Sequence, residues 1–355
     1  MLTVSVSGLA DLLAVLPYQL GFHPRDSLVA VVLHDRRIGM VARVDLPGPA
    51  GVGDVVAMLL PPLAREEPDG VLLVGYEDVA GDSAPLLDGL TEALGEAGIP
   101  LTDAAVVRGD RWYAVTCHDP GCCPPEGRPV PEASAVPGVA AFVAAEVVPL
   151  GGRDELAGLV AEDPLLTDGV AARVGRIRDR TAAGRPVRRP GRAWGRVLCL
   201  ADDAPAVAEL PVSEVAAAVC SLHDLAWRDG LIAWAAPGSL PLDLLDGTTV
   251  GLLRRSIRRP EGALGENARL AARLLGLCRR VPDSCPDEAA HVCALTAAVL
   301  WSQGQGALAN VAVDRALRVS PGHSLARLIE TMLALAVRPS SAAGRAGPVR
   351  AGPQG

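Results

Sequence analysis

The apolar segments of this chain change period part-way along, and that change limits the folds open to it. Up to about residue 150, runs of strand length alternate with helix-spaced ones, and from about 206 onward the spacing is helical. Residues 8–20 carry Leu9, Leu12, Leu13, Val15, Leu16 and Leu20 at helical spacing and stop near Gly21. Pro24 and Asp26 turn the chain into Ser27–Leu33, a continuous apolar run. His34–Arg37 then turns it again and Ile38–Val44 returns it, which predicts a β-hairpin. A helical pattern over 51–66, a buried strand at Gly70–Tyr76 and a second helix over 83–97, stopped by Gly98, follow. Gly109-Asp110 between Thr102–Arg108 and Arg111–Cys117 predicts a second hairpin, and helical patterns come at roughly 132–147 and 153–162. Hairpins mixed with crossover helices predict a mixed sheet covered by helices. With helices behind it, the fold class is α+β: an N-terminal α/β domain, then an all-helical C-terminal domain.

At 355 residues, half of them hydrophobic, the chain can bury two cores. The expected division is an α/β domain at 1–165, an Arg-rich connector at 166–205, a helical domain at 206–338 and a disordered tail at 339–355. Between Arg173 and Arg196 stand nine arginines and one acid, Asp179. Gly184, Pro186, Pro190 and Gly191 interrupt the segment, so its C-terminal part is expected to be a flexible linker.

All 33 basic residues are arginine, the usage of a GC-rich genome, so arginine abundance alone says little about function. The net charge of −8 argues against a generally basic nucleic-acid binder. No apolar run reaches the length of a membrane span. The N-terminal segment has no early positive charge and holds Asp11 and Pro17, which is unlike a secretory signal. Eight cysteines in such a chain read as reduced thiols, and the expected location is the cytoplasm.

Three stretches carry a resemblance. They are Leu12–Leu28 with Val41–Pro47, then Cys117-His-Asp-Pro-Gly-Cys-Cys-Pro-Pro-Glu-Gly127, then Trp301–Leu317 with Pro321 and Leu325-Ala326. In this order they resemble the actinobacterial family called domain of unknown function 4192. The resemblance implies a shared fold and an actinobacterial host, and it brings no activity, cofactor or catalytic residue with it.

The densest chemistry is Cys117, Cys122 and Cys123, with His118 and Asp119 between them. Cys117, His118 and Cys122 are candidate metal ligands, although zinc sites usually draw on two separated pairs. Neighbouring thiols also suit redox or nucleophilic chemistry. The plain alternative is a tight turn built by Pro120, Gly121, Pro124 and Pro125 with the thiols packed beneath. In Gly21–Ser27, Asp26 and His23 are acid/base candidates, set against a turn and a structural ion pair in which Arg43 meets Asp45 or Asp26. Cys285, His291 and Cys293 fall on one helix, facing different ways, which argues against a shared metal. Phosphate-loop, dinucleotide-fingerprint, zinc-protease and nucleophile-elbow patterns are absent.

The sequence therefore points first to a binding or regulatory module that meets a protein partner through its helical half. A thiol-dependent or hydrolytic enzyme, with the Gly21–Ser27 and Cys117–Cys123 loops meeting around a pocket, is the alternative. Phosphate or nucleic-acid binding through Arg185, Arg188, Arg189 and Arg192 is the third reading, with nucleic acid disfavoured by the net charge. No cofactor is named by any motif.

Overall fold

A computed structural model describes residues 8–337, apart from 36, 118, 145, 146 and 238. The chain divides into two compact units, Leu2–Arg153 and Asp154–Gly355. The tail expected to be disordered lies outside the described residues.

In the first unit six strands form one sheet: β1 Ser27–His34, β2 Arg37–Asp45, β3 Gly70–Tyr76, β4 Leu101–Arg108, β5 Arg111–Ala114 and β6 Arg128–Pro129. Their order is β2-β1-β3-β4-β5-β6. Only β3 and β4 run parallel, so the sheet is mixed as expected. Helix α1 (Leu9–Leu20) covers one face, where Leu12, Leu13 and Leu16 meet Val29, Val31, Leu72 and Val74. Helices α2 (Val52–Arg65) and α3 (Ala84–Glu96) cover the other, where Leu59, Leu63, Leu86 and Leu90 meet Leu28, Ala30, Val32, Val71 and Leu73. Burial on both faces is why β1 and β3 read as unbroken apolar runs rather than alternating ones. Each such side chain contributes about 1.5–3 kcal/mol when fully buried. Helix α4 (Pro137–Ala144) lays Val139 and Phe142 against Ala14 and Val15 of α1.

Among the described residues, ten α-helices follow in the second unit: α5 Asp154–Val160, α6 Val170–Ala182, α7 Pro190–Val197, α8 Val212–Cys220, α9 Leu225–Ala235, α10 Gly247–Ser256, α11 Leu264–Arg280, α12 Pro286–Ser302, α13 Gly306–Val319 and α14 Ser324–Ala334. Helix α12 is buried on nearly all sides and packs on α8, α9, α11, α13 and α14. The unit begins earlier than the 165/166 boundary suggested by the sequence, because α5 is tied into the helices. Arg315 of α13, itself buried, donates to the Val160 carbonyl at 2.6 Å, and Arg279 reaches Asp163 at 2.6 Å.

The segment expected to be a flexible linker is instead partly core. Trp194 of α7 is fully buried, and its indole N–H lies 3.1 Å from the Ala218 carbonyl and 3.0 Å from the Ser221 hydroxyl. Pro190 stands at the start of α7, where a missing N–H does no harm. Gly191 and Gly195 admit α10: a Cβ on Gly195 would lie 2.3 Å from the Ser256 carbonyl oxygen. Residues read as helix breakers are thus a helix start and a close helix–helix approach.

Candidate functional site: an arginine-lined cavity

Helix α6 turns one face, Arg173, Ile177, Arg180 and Thr181, toward a cavity of about 130 Å³. The spacing of these residues keeps them on one side of the helix. The stretch Arg185–Arg188 forms a second wall, and Ser213 and Ala217 of α8 a third. Four arginines, Arg173, Arg180, Arg185 and Arg188, are therefore among the lining residues of one space, and no acidic residue is. The Arg173 Nε–H is buried without a partner. Leaving a buried donor unpaired costs about 1–3 kcal/mol, more for a charged group.

Other arginines of the same segment are already engaged. Arg178 pairs with Glu288, and Arg196 lies 3.2 Å from Glu214, which Arg192 also approaches at 4.0 Å. Of the set expected to contact phosphate, Arg185 and Arg188 line the cavity, whereas Arg189 and Arg192 do not. Arg189 occupies the N-cap of α7 with φ 51°.

The cysteine loop follows β5 at the edge of the sheet. The Sγ atoms of Cys117 and Cys122 are 3.5 Å apart, those of Cys122 and Cys123 are 3.4 Å apart, and all three lie within 4.8 Å of one another. All three are free thiols, with Cys122 exposed and the others half-buried. The backbone N–H groups of Cys122 and Cys123 both donate to the Asp119 carbonyl. A hydrogen bond from the backbone, helped by the thiols of Cys123 and Cys122, holds the Cys117 thiol below its ordinary range, while Cys117 and Cys122 push Cys123 up to about 12. His118 lies outside the described residues.

Register separates this loop from Gly21–Ser27. Ser27 pairs with Tyr76, Tyr76 with Val107 and Val107 with Trp112, which defines one end of the sheet. The chain leaves β5 at the other end, where Val115 bonds Ala104 and Thr116 bonds Asp103 before Cys117. The exit from β5 thus lies at the opposite end of the sheet from Ser27, with β3 and β4 standing between β1 and β5, while the far part of the cysteine loop returns to pair Arg128 with Trp112. Asp26 is exposed in a turn of φ 39°. Its carbonyl accepts from Leu46 N–H at 2.9 Å. Asp45 is bound by Arg43 at 2.6 Å and Arg153 at 3.0 Å, the ion-pair reading of that cluster.

The end of the parallel pair β3–β4, where α/β sheets often bind ligands, is occupied from within. Buried Glu77 accepts from the backbone N–H groups of Gly81 and Ser83, from the Ser83 hydroxyl at 2.6 Å and from Arg108 at 2.7 Å. Burial would raise its carboxyl, yet these bonds outweigh it and bring the group down to about 2.

The family described as a domain of unknown function, DUF4192, matches residues 10–340. The chain belongs to the DUF4192 family. No curated protein and no solved structure matches it. Among the described residues, no helix is long and apolar enough to cross a membrane.

One network in this DUF4192 chain escaped the sequence reading. Glu288 is fully buried, yet accepts two hydrogen bonds from Arg178 and lies 3.0 Å from His223 Nε2. The rings of His223 and His291 stand 4.8 Å apart, and those of His291 and His323 4.7 Å. His323 caps α14 by accepting from Ala326 N–H at Nδ1, so its Nε2 carries the proton and donates to His291 Nδ1 at 2.8 Å. Burial first, and then the neighbouring His323, His223 and Arg228, push His291 down to about 3. The signal was present in the sequence: Glu288 and His291 share a helix face at i, i+3, a spacing overshadowed by the nearby cysteines. Fully paired and buried, Glu288 fixes helix packing and has no free oxygen for a substrate.

Proposed function

We propose that this chain is a cytoplasmic binding module of an actinobacterial cell, and that its helical unit takes a ligand bearing two adjacent phosphate groups. The observation that carries this reading is the convergence of Arg173, Arg180, Arg185 and Arg188 on one cavity without a carboxylate in its lining. Four positive charges balance about two phosphate groups, each carrying roughly −1.5 to −2 at neutral pH. Guanidinium forks match phosphate oxygens in pairs. At ~10–15 Å³ per water-sized probe, the cavity of about 130 Å³ has room for a phosphate pair. Binding is favoured over catalysis because the buried carboxylates, Glu77 and Glu288, are saturated by internal bonds.

Calorimetric titration of the full chain with pyrophosphate tests the reading. The expected result is saturable binding at one site, weakened at least about tenfold by Arg173→Gln with Arg180→Gln, and similarly by Arg185→Gln with Arg188→Gln. Binding that is absent, or unchanged in both variants, removes the proposal. Arg189→Gln, outside the cavity, serves as the control expected to bind like the parent.

A further inference from the structure

The cysteine loop of the α/β unit is independent of the arginine cavity and carries its own chemistry. We propose that Cys117, Cys122 and Cys123 form a zinc(II) site with its fourth coordination position open to solvent. Three sulfurs bound at about 2.3 Å to a tetrahedral zinc stand about 3.8 Å from one another. The observed separations of 3.4 and 3.5 Å, with all three sulfurs inside 4.8 Å, bracket that value. Closing on an ion needs side-chain shifts of only a few tenths of an ångström along the short edges.

The backbone holds this arrangement without help from a metal. The Asp119 carbonyl gathers the N–H groups of Cys122 and Cys123 at 3.1 and 2.6 Å, and the Asp119 carboxylate takes Gly121 N–H at 2.9 Å. That turn folds Cys122 back beside Cys117. The far end of the loop is pinned by Arg111, which donates to the carbonyls of Glu126 at 2.7 Å and Gly127 at 2.6 Å. Gly127 has φ 73° and presses on β5, where a Cβ would sit 2.9 Å from the Trp112 carbonyl oxygen. Three ligands thus stand on a loop anchored at both ends, the pre-organisation a metal site needs.

Core packing does not account for these thiols. Cys220, Cys278, Cys285 and Cys293 are buried and fill helical core, whereas Cys122 is exposed and Cys117 and Cys123 are half-buried. Three thiolates so close would repel unless a cation lies among them. Binding zinc therefore releases the thiol protons to solvent and leaves a site of net charge −1. Soft sulfur ligands select zinc over magnesium or calcium. Three protein ligands with one open position is the arrangement of zinc centres that exchange a water or a substrate.

The test is anaerobic titration of cobalt(II) into the reduced, metal-free full chain, followed by displacement with zinc. The expected result is a thiolate-to-cobalt charge-transfer band with visible bands of a tetrahedral sulfur-rich site, saturating at one ion per chain and abolished by zinc. Cys122→Ser and, separately, Cys117→Ala should each lose the bands, while Cys199→Ser keeps them. Circular dichroism melts confirm that each variant is folded, and two substitutions at different points of the loop guard against loss through misfolding. No band in the parent chain, or bands that survive both loop substitutions, overturns the proposal. So does a chain that binds no cobalt and instead closes a Cys122–Cys123 disulfide in air.

Discussion

Arg178 of α6 grips Glu288 of α12 through two hydrogen bonds, one of them 2.8 Å from Nε, and so ties a segment rich in charge to the most buried helix of the chain. The carboxylate is fully buried, while the guanidinium is part-exposed. Removing the arginine leaves a buried charge with His223 as its remaining side-chain partner. Breaking a buried pair from one side costs about 3–5 kcal/mol, and exposure of Arg178 places this case at about 3. Arg178→Ala should therefore lower the urea midpoint of the helical unit strongly, and Arg178→Ala with Glu288→Gln should recover part of the loss. A midpoint in Arg178→Ala equal to that of the parent would show that the pair contributes nothing.

Acid should act on the helical unit first, in a window that overlaps that of the α/β unit only below pH 4.5. His291 is neutral when folded, its value moved from 6.5 to about 3 by burial first and then by the neighbouring His323, His223 and Arg228, with Glu288 opposing. A depressed histidine value means the unfolded chain binds the proton more readily. Stability is then full above pH 6.5 and falls as the pH drops toward 3. Glu77 of the α/β unit moves from 4.5 to about 2, so its contribution is full above pH 4.5 and falls as the pH drops toward 2. At about 1.36 kcal/mol per unit, the Glu77 contribution has an upper bound of about 3 kcal/mol. Thermal melts from pH 7 to pH 3 should show the helical unit losing stability first, and His291→Gln should flatten the limb between pH 6.5 and 4.5. A His291→Gln chain with an unaltered limb would assign that limb to another group.

Much of the α/β unit is legible in the sequence because its cues are local. Ser27–Leu33, Gly70–Tyr76 and Gly109-Asp110 state their own period and turns, and the observed strands follow them. Strand β6 left no such cue: two residues, one of them Pro129, pair at the sheet edge, where a missing N–H is tolerated. The three thiols were visible as neighbours in the chain, but their mutual approach depends on the Asp119 turn. The cavity and the Glu288 network were hidden for a different reason. Both join side chains far apart in the chain, such as Arg173 with Ser213 and Arg178 with Glu288. Composition obscured them further, since every basic residue is arginine and those that bind carbonyls, such as Arg280 to Val207, read the same as those that line a cavity.

The segment around α7 offers the sharpest test of what glycine does in this chain. Were Arg185–Arg196 a solvated linker, replacing Gly195 by alanine would change stability little, because the entropy lost by a segment flexible in both states cancels. In the packed arrangement the added methyl meets the Ser256 carbonyl oxygen at 2.3 Å, and backbone cannot move aside as a flexible side chain can. Overpacking of this kind costs about 1–3 kcal/mol. Gly195→Ala should therefore lower the melting temperature, while Gly184→Ala is the wrong control because φ is 76° there. Ala183→Gly, exposed beside it, is the better one and should change little. Exchange of the Trp194 indole proton reports on the same packing: its bonds to Ala218 and Ser221 should protect it in the parent, and Gly195→Ala should release it. A Gly195→Ala chain that melts like the parent, with an indole proton exchanging at the rate of a free tryptophan in both forms, would return this segment to the linker reading.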